Sequence, residues 1–393
     1  MAETDHVESR TPSALQPASL GDLTWLFLKL GAFAFGGPAA HIAMMEDEIV
    51  RRRQWLSRDE FLDLLGATNL IPGPNSTEMA IHIGHRKAGW AGLLVAGSCF
   101  ILPAALIVTI FAWAYVRYGS LPQTADVLYG VKPVIIAVVL QALWGLGRAA
   151  LKTKSLALVC AVGVALVLVG VNELIVLCAA GIVVCLGKWL SERGNAESNV
   201  RAVIAPAPLA FIAQTTAASF GLWPMFLFFL KVGSVLFGSG YVLLAFLRAD
   251  LVERWRWLSE SQLLDAVAVG QVTPGPVFTT ATFIGYVLGG LPGAVVATVG
   301  IFLPAFFFVA MSGPLVPRIR RHPAAGAFLN GVNAASLSLM AVVTWQLGKA
   351  ALVDWATAAL FVISLIALLR FRINSAWLAL GGALIGFASG ALR

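Results

Sequence analysis

Apolar residues fall in long runs along this chain: 89–116, 128–147, 155–171, 174–190, 292–311, 328–347, 355–369 and 376–392. A helix needs about 20 such residues to cross the hydrocarbon of a bilayer, so these runs predict membrane-crossing helices, some of them short. Two further apolar stretches surround Lys29 and Lys231, which makes five per half and about ten in all. Polar residues gather between the runs. The stretches 46–60 and 248–261 are too charged for hydrocarbon and read as amphipathic surface helices or solvated connectors, with Trp55, Trp255 and Trp257 placed for headgroup level.

The pattern repeats. FLKLGAFAFGG (27–37) returns as FLKVGSVLFGS (229–239). Trp55-Leu56-Ser57 returns as Trp257-Leu258-Ser259, and Pro72-Gly73-Pro74 as Pro274-Gly275-Pro276, all at one offset of 202. After a one-residue gap, 129–151 matches 330–352. A match nearly free of gaps over roughly 125 residues marks a duplication. The expected organisation is a disordered tail (1–22), a first repeat (23–190), a linker (191–222) and a second repeat (223–393).

Composition agrees with a lipid setting. Hydrophobic residues make up 59% of the 393 and charged residues 12%, with mean hydropathy +0.84; soluble domains carry about 25% charged residues. The net charge of +7 sits in loops between apolar runs, where topology explains it and nucleic acid is not implied. The four cysteines show no CxxC spacing and the five histidines no metal-ligand spacing, so no metal or cofactor is expected. No GxxxxGK[ST] motif marks ATP hydrolysis, and no acid–base or nucleophile cluster marks an enzyme.

Lys and Arg favour cytoplasmic loops, and equivalent loops of the two repeats swap their charge. Arg86 and Lys87 precede 89–116, whereas 286–290 is uncharged. Residues 119–127 hold no Lys or Arg, whereas Arg318, Arg320 and Arg321 follow 292–311. The expected fold is therefore an all-α polytopic membrane protein of two inverted-topology repeats, with re-entrant hairpins at the two Pro-Gly-Pro motifs. Inverted repeats are a transporter signature, with the site near mid-membrane at Gly/Pro-interrupted segments.

Two such pairs occur: Gly36-Gly37-Pro38 with Gly238-Ser239-Gly240, and the Pro-Gly-Pro pair. Proline ends a helix, and the helix that restarts at Asn75 or Val277 begins with amides lacking intrahelical partners. An anion suits them, aided by the helix dipole. Ser76, Thr77, Thr279 and Thr280 follow with hydroxyls. Either a re-entrant hairpin holding an anion or a proline kink in a full span fits the motif; FGG serves close backbone approach to a ligand or helix packing. The candidate substrate site is Lys29, Gly36, Gly37, Pro72, Gly73, Asn75, Ser76, Thr77, Lys231, Gly238, Gly275, Thr279 and Thr280. The two lysines face the anion or snorkel to an interface. Glu78, Asp63 and Asp265 are proton-coupling candidates, although Glu78 is also placed to pair with His82 one turn on.

FGGP at 35–38, Trp-Leu-Ser after a basic stretch, and NLIPGPNST, repeated as FGSG and VTPGPVFTT, resemble the chromate ion transporter family in its long two-domain form. The likeness covers about residues 23–392 and departs at Ser239 and Gly240. It implies a multi-pass plasma (inner) membrane protein that exports chromate from the cytoplasm, driven by the ion gradient, with the proton gradient as the expected partner. A sulfate or other oxyanion importer, or an anion channel, remains open, as does a homodimer.

Overall fold

The structure, a computed structural model, describes residues 18–119, 121–193, 219–237, 240–320, 323–371 and 373–391. Expectations for the tail up to residue 17, for most of the linker and for Gly238 lie outside these residues. Among them the chain is helical throughout, with no strand. The first repeat holds α1 (Leu20–Phe33), α2 (Gly37–Glu46) running into a π-helical turn (Asp47–Arg52), α3 (Arg58–Thr68), α4 (Asn75–Tyr118), α5 (Pro122–Ala150), α6 (Lys154–Leu168) and α7 (Glu173–Arg193). The second holds α8 (Leu222–Val235), α9 (Leu243–Phe246) with its own π-helical turn (Leu247–Arg254), α10 (Glu260–Val272), α11 (Thr280–Arg320), α12 (Pro323–Ala351), α13 (Trp355–Phe371) and α14 (Ser375–Ala391). Five helices among the described residues are long and apolar enough to cross a membrane, and shorter apolar ones accompany them.

The Trp-Leu-Ser motif now has a physical reason. Ser57 and Ser259 cap α3 and α10: each side chain accepts from the amide three residues on, and Glu60 or Gln262 returns a bond to the cap amide. The capped helices enter the protein and stop at Pro-Gly-Pro. The chain then turns back, because Arg86 Nη2, just beyond the first arm of α4, donates to Glu60 Oε1 at the start of α3 at 3.1 Å. Both ends of this α3–α4 hairpin thus lie on one face. Its 11-residue α3 is about 17 Å long at 1.5 Å per residue, roughly half a bilayer.

A second reversal sits inside α4. Ala88 and Gly89 leave the helical region, with Gly89 at φ +58°, and Ala88-Gly89 recurs as Gly289-Gly290 in α11 with nearly identical angles. The arms then lie together: a Cβ on Gly84 would strike the Gly92 carbonyl, and one on Gly285 the Gly293 carbonyl. The arm 90–118 crosses the protein at about 43 Å.

α1 also reverses. At 14 residues it is about 21 Å long, and α2 folds back along it. His41 Nε2 meets the Ala34 carbonyl at 3.0 Å, Lys29 meets Glu48 at 3.0 Å, and Trp55 packs inward with Leu23, Leu26 and Ile49. Trp55 is therefore a core residue of this hairpin and not a headgroup anchor.

The inversion is visible at one cavity, where the first turns of α5 (Ala125–Lys132) meet the last turn of α12 (Ala350, Ala351). These helices are repeat equivalents and run in opposite directions. Likewise α10 starts beside Tyr115 at the far end of α4, whereas its equivalent α3 starts beside Arg86. The repeats also clasp each other: α6 and α7 pack on α12, and α13 and α14 on α5. Glycines allow the close approach, since a Cβ on Gly130 would overlap Gly382 and one on Gly331 would overlap Ala180.

Candidate functional site at the crossing of the helix breaks

α1 and α8 end where their last carbonyls lack helical partners. The Pro-Gly-Pro tip of the opposite repeat satisfies each of them. Gly73 N–H donates to the Leu236 carbonyl at 2.8 Å, and Gly275 N–H donates to the Ala34 carbonyl at 2.9 Å. Ala34 and Leu236 are repeat equivalents and cap α1 and α8. The four breaks thus meet in two reciprocal crossings. Gly275 also lies against Ala104, and Gly73 against Ala305. Ala104 is the midpoint of 90–118, about 21 Å from either end, and Ala305 sits correspondingly in α11. The crossings therefore lie at mid-depth.

The tips need glycine. Gly73 has φ +137° and Gly275 φ +86°, a region that side-chain-bearing residues rarely adopt. Space demands it as well, because a Cβ on Gly73 would collide with Glu78 Oε1 and one on Gly275 with the Ala104 Cβ. Both glycine amides are taken by the crossings. The polar groups next to them are those that open α4.

That end of α4 has no side-chain cap. Thr77 and Glu78 amides turn back to the Pro74 carbonyl, and Asn75 Nδ2 donates to Asn69 Oδ1 at 2.9 Å. Ser76, Thr77 and Glu78 are buried. Thr77 Oγ1, both Glu78 carboxylate oxygens, His82 Nε2 and His41 Nδ1 are buried without a hydrogen-bond partner among the described residues. Glu78 and His82 do not bond each other. Buried polar groups are nearly always partnered, so these orphans stand out, and Thr77 and Glu78 lie in the first turn of α4 beside the helix break.

The second repeat differs. Thr279 Oγ1 donates to the Pro276 carbonyl and Thr280 Oγ1 to the Val277 carbonyl, so neither hydroxyl proton is left for a ligand. His41 is replaced by Leu243, and Glu78 and His82 fall against Thr and Ile. The orphaned His41, Glu78 and His82 therefore have no ionisable counterpart in the second repeat.

The two candidate lysines do not stand free. Lys29 pairs with Glu48, and Lys231 pairs with Asp250 at 2.5 Å, where Arg254 joins the same carboxylate. Glu48 and Asp250 are themselves repeat equivalents, a signal present in the sequence at the 202 offset. Gly36 and Gly37 form the tip between α1 and α2, at φ +104° and +76°. Asp63 lies on α3. Asp265 meets partners from the other repeat: Tyr115 O–H donates to Oδ2 at 2.9 Å, and Lys132 Nζ lies 3.1 Å from Oδ1. No group of three metal-ligating side chains occurs among the described residues.

The family profile described as Chromate transporter matches residues 21–186 and 223–387. A chromate transport protein of Cupriavidus metallidurans is 34% identical over 94% of this chain and 93% of its own length. One of Pseudomonas aeruginosa is 34% identical over 87% and 84%. A probable chromate transport protein of Synechococcus elongatus is 34% identical over 89% of each. No solved structure matches the chain. The profile match falls on the two inverted repeats and spans both pairs of helix breaks, and the chain belongs to the chromate transporter family.

Proposed function

We propose that this chain carries chromate across the membrane by alternating access, exports it from the cytoplasm, and couples the movement to protons through Glu78. The observation that carries the reading is the placement of Glu78. Its carboxylate is buried, lacks a hydrogen-bond partner, and folds over Gly73 at the uncapped start of α4. An ionised Glu78 there supplies the negative charge that a helix N-terminus attracts. A dianion seeking the same amides must displace or neutralise it. Protonation removes the competing charge, so one proton moves with each dianion in the same direction; one net negative charge then leaves the cytoplasm per cycle, and the inside-negative membrane potential drives export. Thr77 and Ser76 sit in the first turn beside it and offer hydroxyls to tetrahedral oxygens.

The relatives' names support chromate as the cargo. Sulfate shares its shape and charge, so competition decides specificity. Everted vesicles take up labelled chromate in this reading, faster when the outer solution, which bathes the cytoplasmic face, is made acidic. Glu78→Gln is expected to retain binding and lose the gradient dependence. Gradient-insensitive, purely voltage-driven flux in the parent protein would defeat coupled transport, and full competition by equimolar sulfate would defeat chromate specificity.

A further inference from the structure

At the end of the bundle opposite Arg86 lies a cavity of about 320 Å³. Its walls come from both repeats: Tyr115, Tyr129 and Lys132 from the first, Ser261 and Asp265 from the second. At about 30 Å³ per water it holds roughly ten waters, enough room for a hydrated dianion.

The polar groups here are built and mostly satisfied. Lys132 Nζ donates to Ser261 Oγ at 2.7 Å, which leaves the Ser261 O–H to donate elsewhere. Tyr129 O–H donates to Asp354 Oδ2 at 2.6 Å. Asp265 Oδ1 is the exception. It lies 3.1 Å from the Lys132 ammonium but off a hydrogen-bonding line, so it is buried with a charge contact and no hydrogen bond. The Lys132 side chain is itself largely buried.

The repeat supplies a comparison within the same chain. Lys132 corresponds to Asn333, Tyr129 to Asn330, Tyr115 to Val316 and Ser261 to Asp59. The corresponding positions at the opposite mouth hold no cation and gain a carboxylate. One mouth therefore carries a lysine, two phenols and a hydroxyl that the corresponding positions of the other repeat lack.

We propose that this cavity is a second oxyanion site, at the outer mouth, where Lys132 and Ser261 hold a tetrahedral dianion on its way between the mid-depth crossing and the periplasm. The dianion takes the Lys132 contact that Asp265 holds in the empty state. That exchange breaks Lys132–Asp265, one of the contacts joining the first repeat to the second at this mouth, while Tyr115–Asp265 and Tyr129–Asp354 remain. The assignment of the mouth to the periplasm rests on the transport reading above; the anion site itself does not.

The test uses the full chain in intact cells. Ala125→Cys on the cavity wall is labelled with a membrane-impermeant thiol reagent, with molybdate or sulfate as the probe anion, since chromate oxidises thiols. Either oxyanion, at about ten times its dissociation constant, is expected to slow labelling about ten-fold. Adding Lys132→Gln is expected to abolish the protection and Lys132→Arg to keep it. Should Ala125→Cys fail to reach the membrane, Leu128→Cys on the same wall replaces it. Unprotected labelling, protection that survives Lys132→Gln, or cysteines beyond reach of the outside reagent each overturn the site. Oxyanion protection in a protein that moves no chromate in vesicles would instead sink the transport reading and leave the site standing.

Discussion

Gly73 donates its amide to Leu236 of the opposite repeat, and the same bond recurs with the roles of the repeats exchanged, from Gly275 to Ala34. Each tip therefore depends on the other repeat for the acceptor that its own repeat cannot supply. In a bilayer an unmet backbone group is costly, so the crossings hold the breaks in register.

Gly275→Ala is expected to lower folded yield in the membrane and abolish chromate uptake. The Cβ meets Ala104 and the backbone is held at φ +86°, a strain of about 1–3 kcal/mol before the collision is added. Gly89→Ala is the control. Gly89, at φ +58° and ψ −143°, has open space around its Cβ, so it carries about 1–3 kcal/mol of backbone strain alone, without a collision. Thermal unfolding in detergent checks the order.

The two lysine pairs should respond differently to removal of the cation. Lys231→Met leaves Asp250 nearly buried, and breaking a buried pair costs about 3–5 kcal/mol, less the share that Arg254 takes over. Lys29→Met removes a half-exposed cation, and such pairs are worth about 0–1 kcal/mol. If Lys29→Met proved the more damaging in unfolding or expression assays, a binding role for Lys29 would gain support over the structural one.

Much of this layout is legible in the sequence, and the limits are physical. The 202 offset exposes both Pro-Gly-Pro tips and the capping serines, and beyond the one-residue gap an offset of 201 pairs the Gly89 and Gly290 turns. The 202 offset also places Glu48 opposite Asp250, so the lysine partners were readable from the repeat. The fold-back of α2 on α1 was not, because an apolar run around Lys29 looks alike whether it crosses the membrane or stops halfway. Lys132 and Asp265 lie 133 residues apart on different repeats, and no local pattern relates them. The orphaned state of Glu78 likewise depends on what surrounds it in three dimensions.

Glu60 gives a pH test outside the spanning helices. The Ser57 backbone N–H, above all, holds its carboxyl below the ordinary range, with Arg86 assisting. A carboxyl depressed in the folded state stabilises at pH above its unfolded value and loses that contribution as pH falls through the folded value. Glu60→Gln is therefore expected to destabilise at neutral pH and to match the parent protein in strong acid. A constant difference across that range in detergent melting curves would remove Glu60 from the hairpin's support.

Residues 1–193 and 194–393 expressed separately are each expected to be degraded, because α5 and α12 would lose the helices packed on them. Co-expression of the two pieces is expected to restore a complex that purifies together. Stable insertion of either piece alone would contradict the clasped arrangement.

The exchange of terminal helices also limits how the protein can open. Jaws that swing freely need a hinge and a cleft between separate blocks, and here each block has its arms around the other. The short tips at the centre are joined across the repeats by one backbone hydrogen bond apiece. A cargo passing through would therefore disturb a pair of latches inside a rigid frame, and turnover would be set by how easily those latches part.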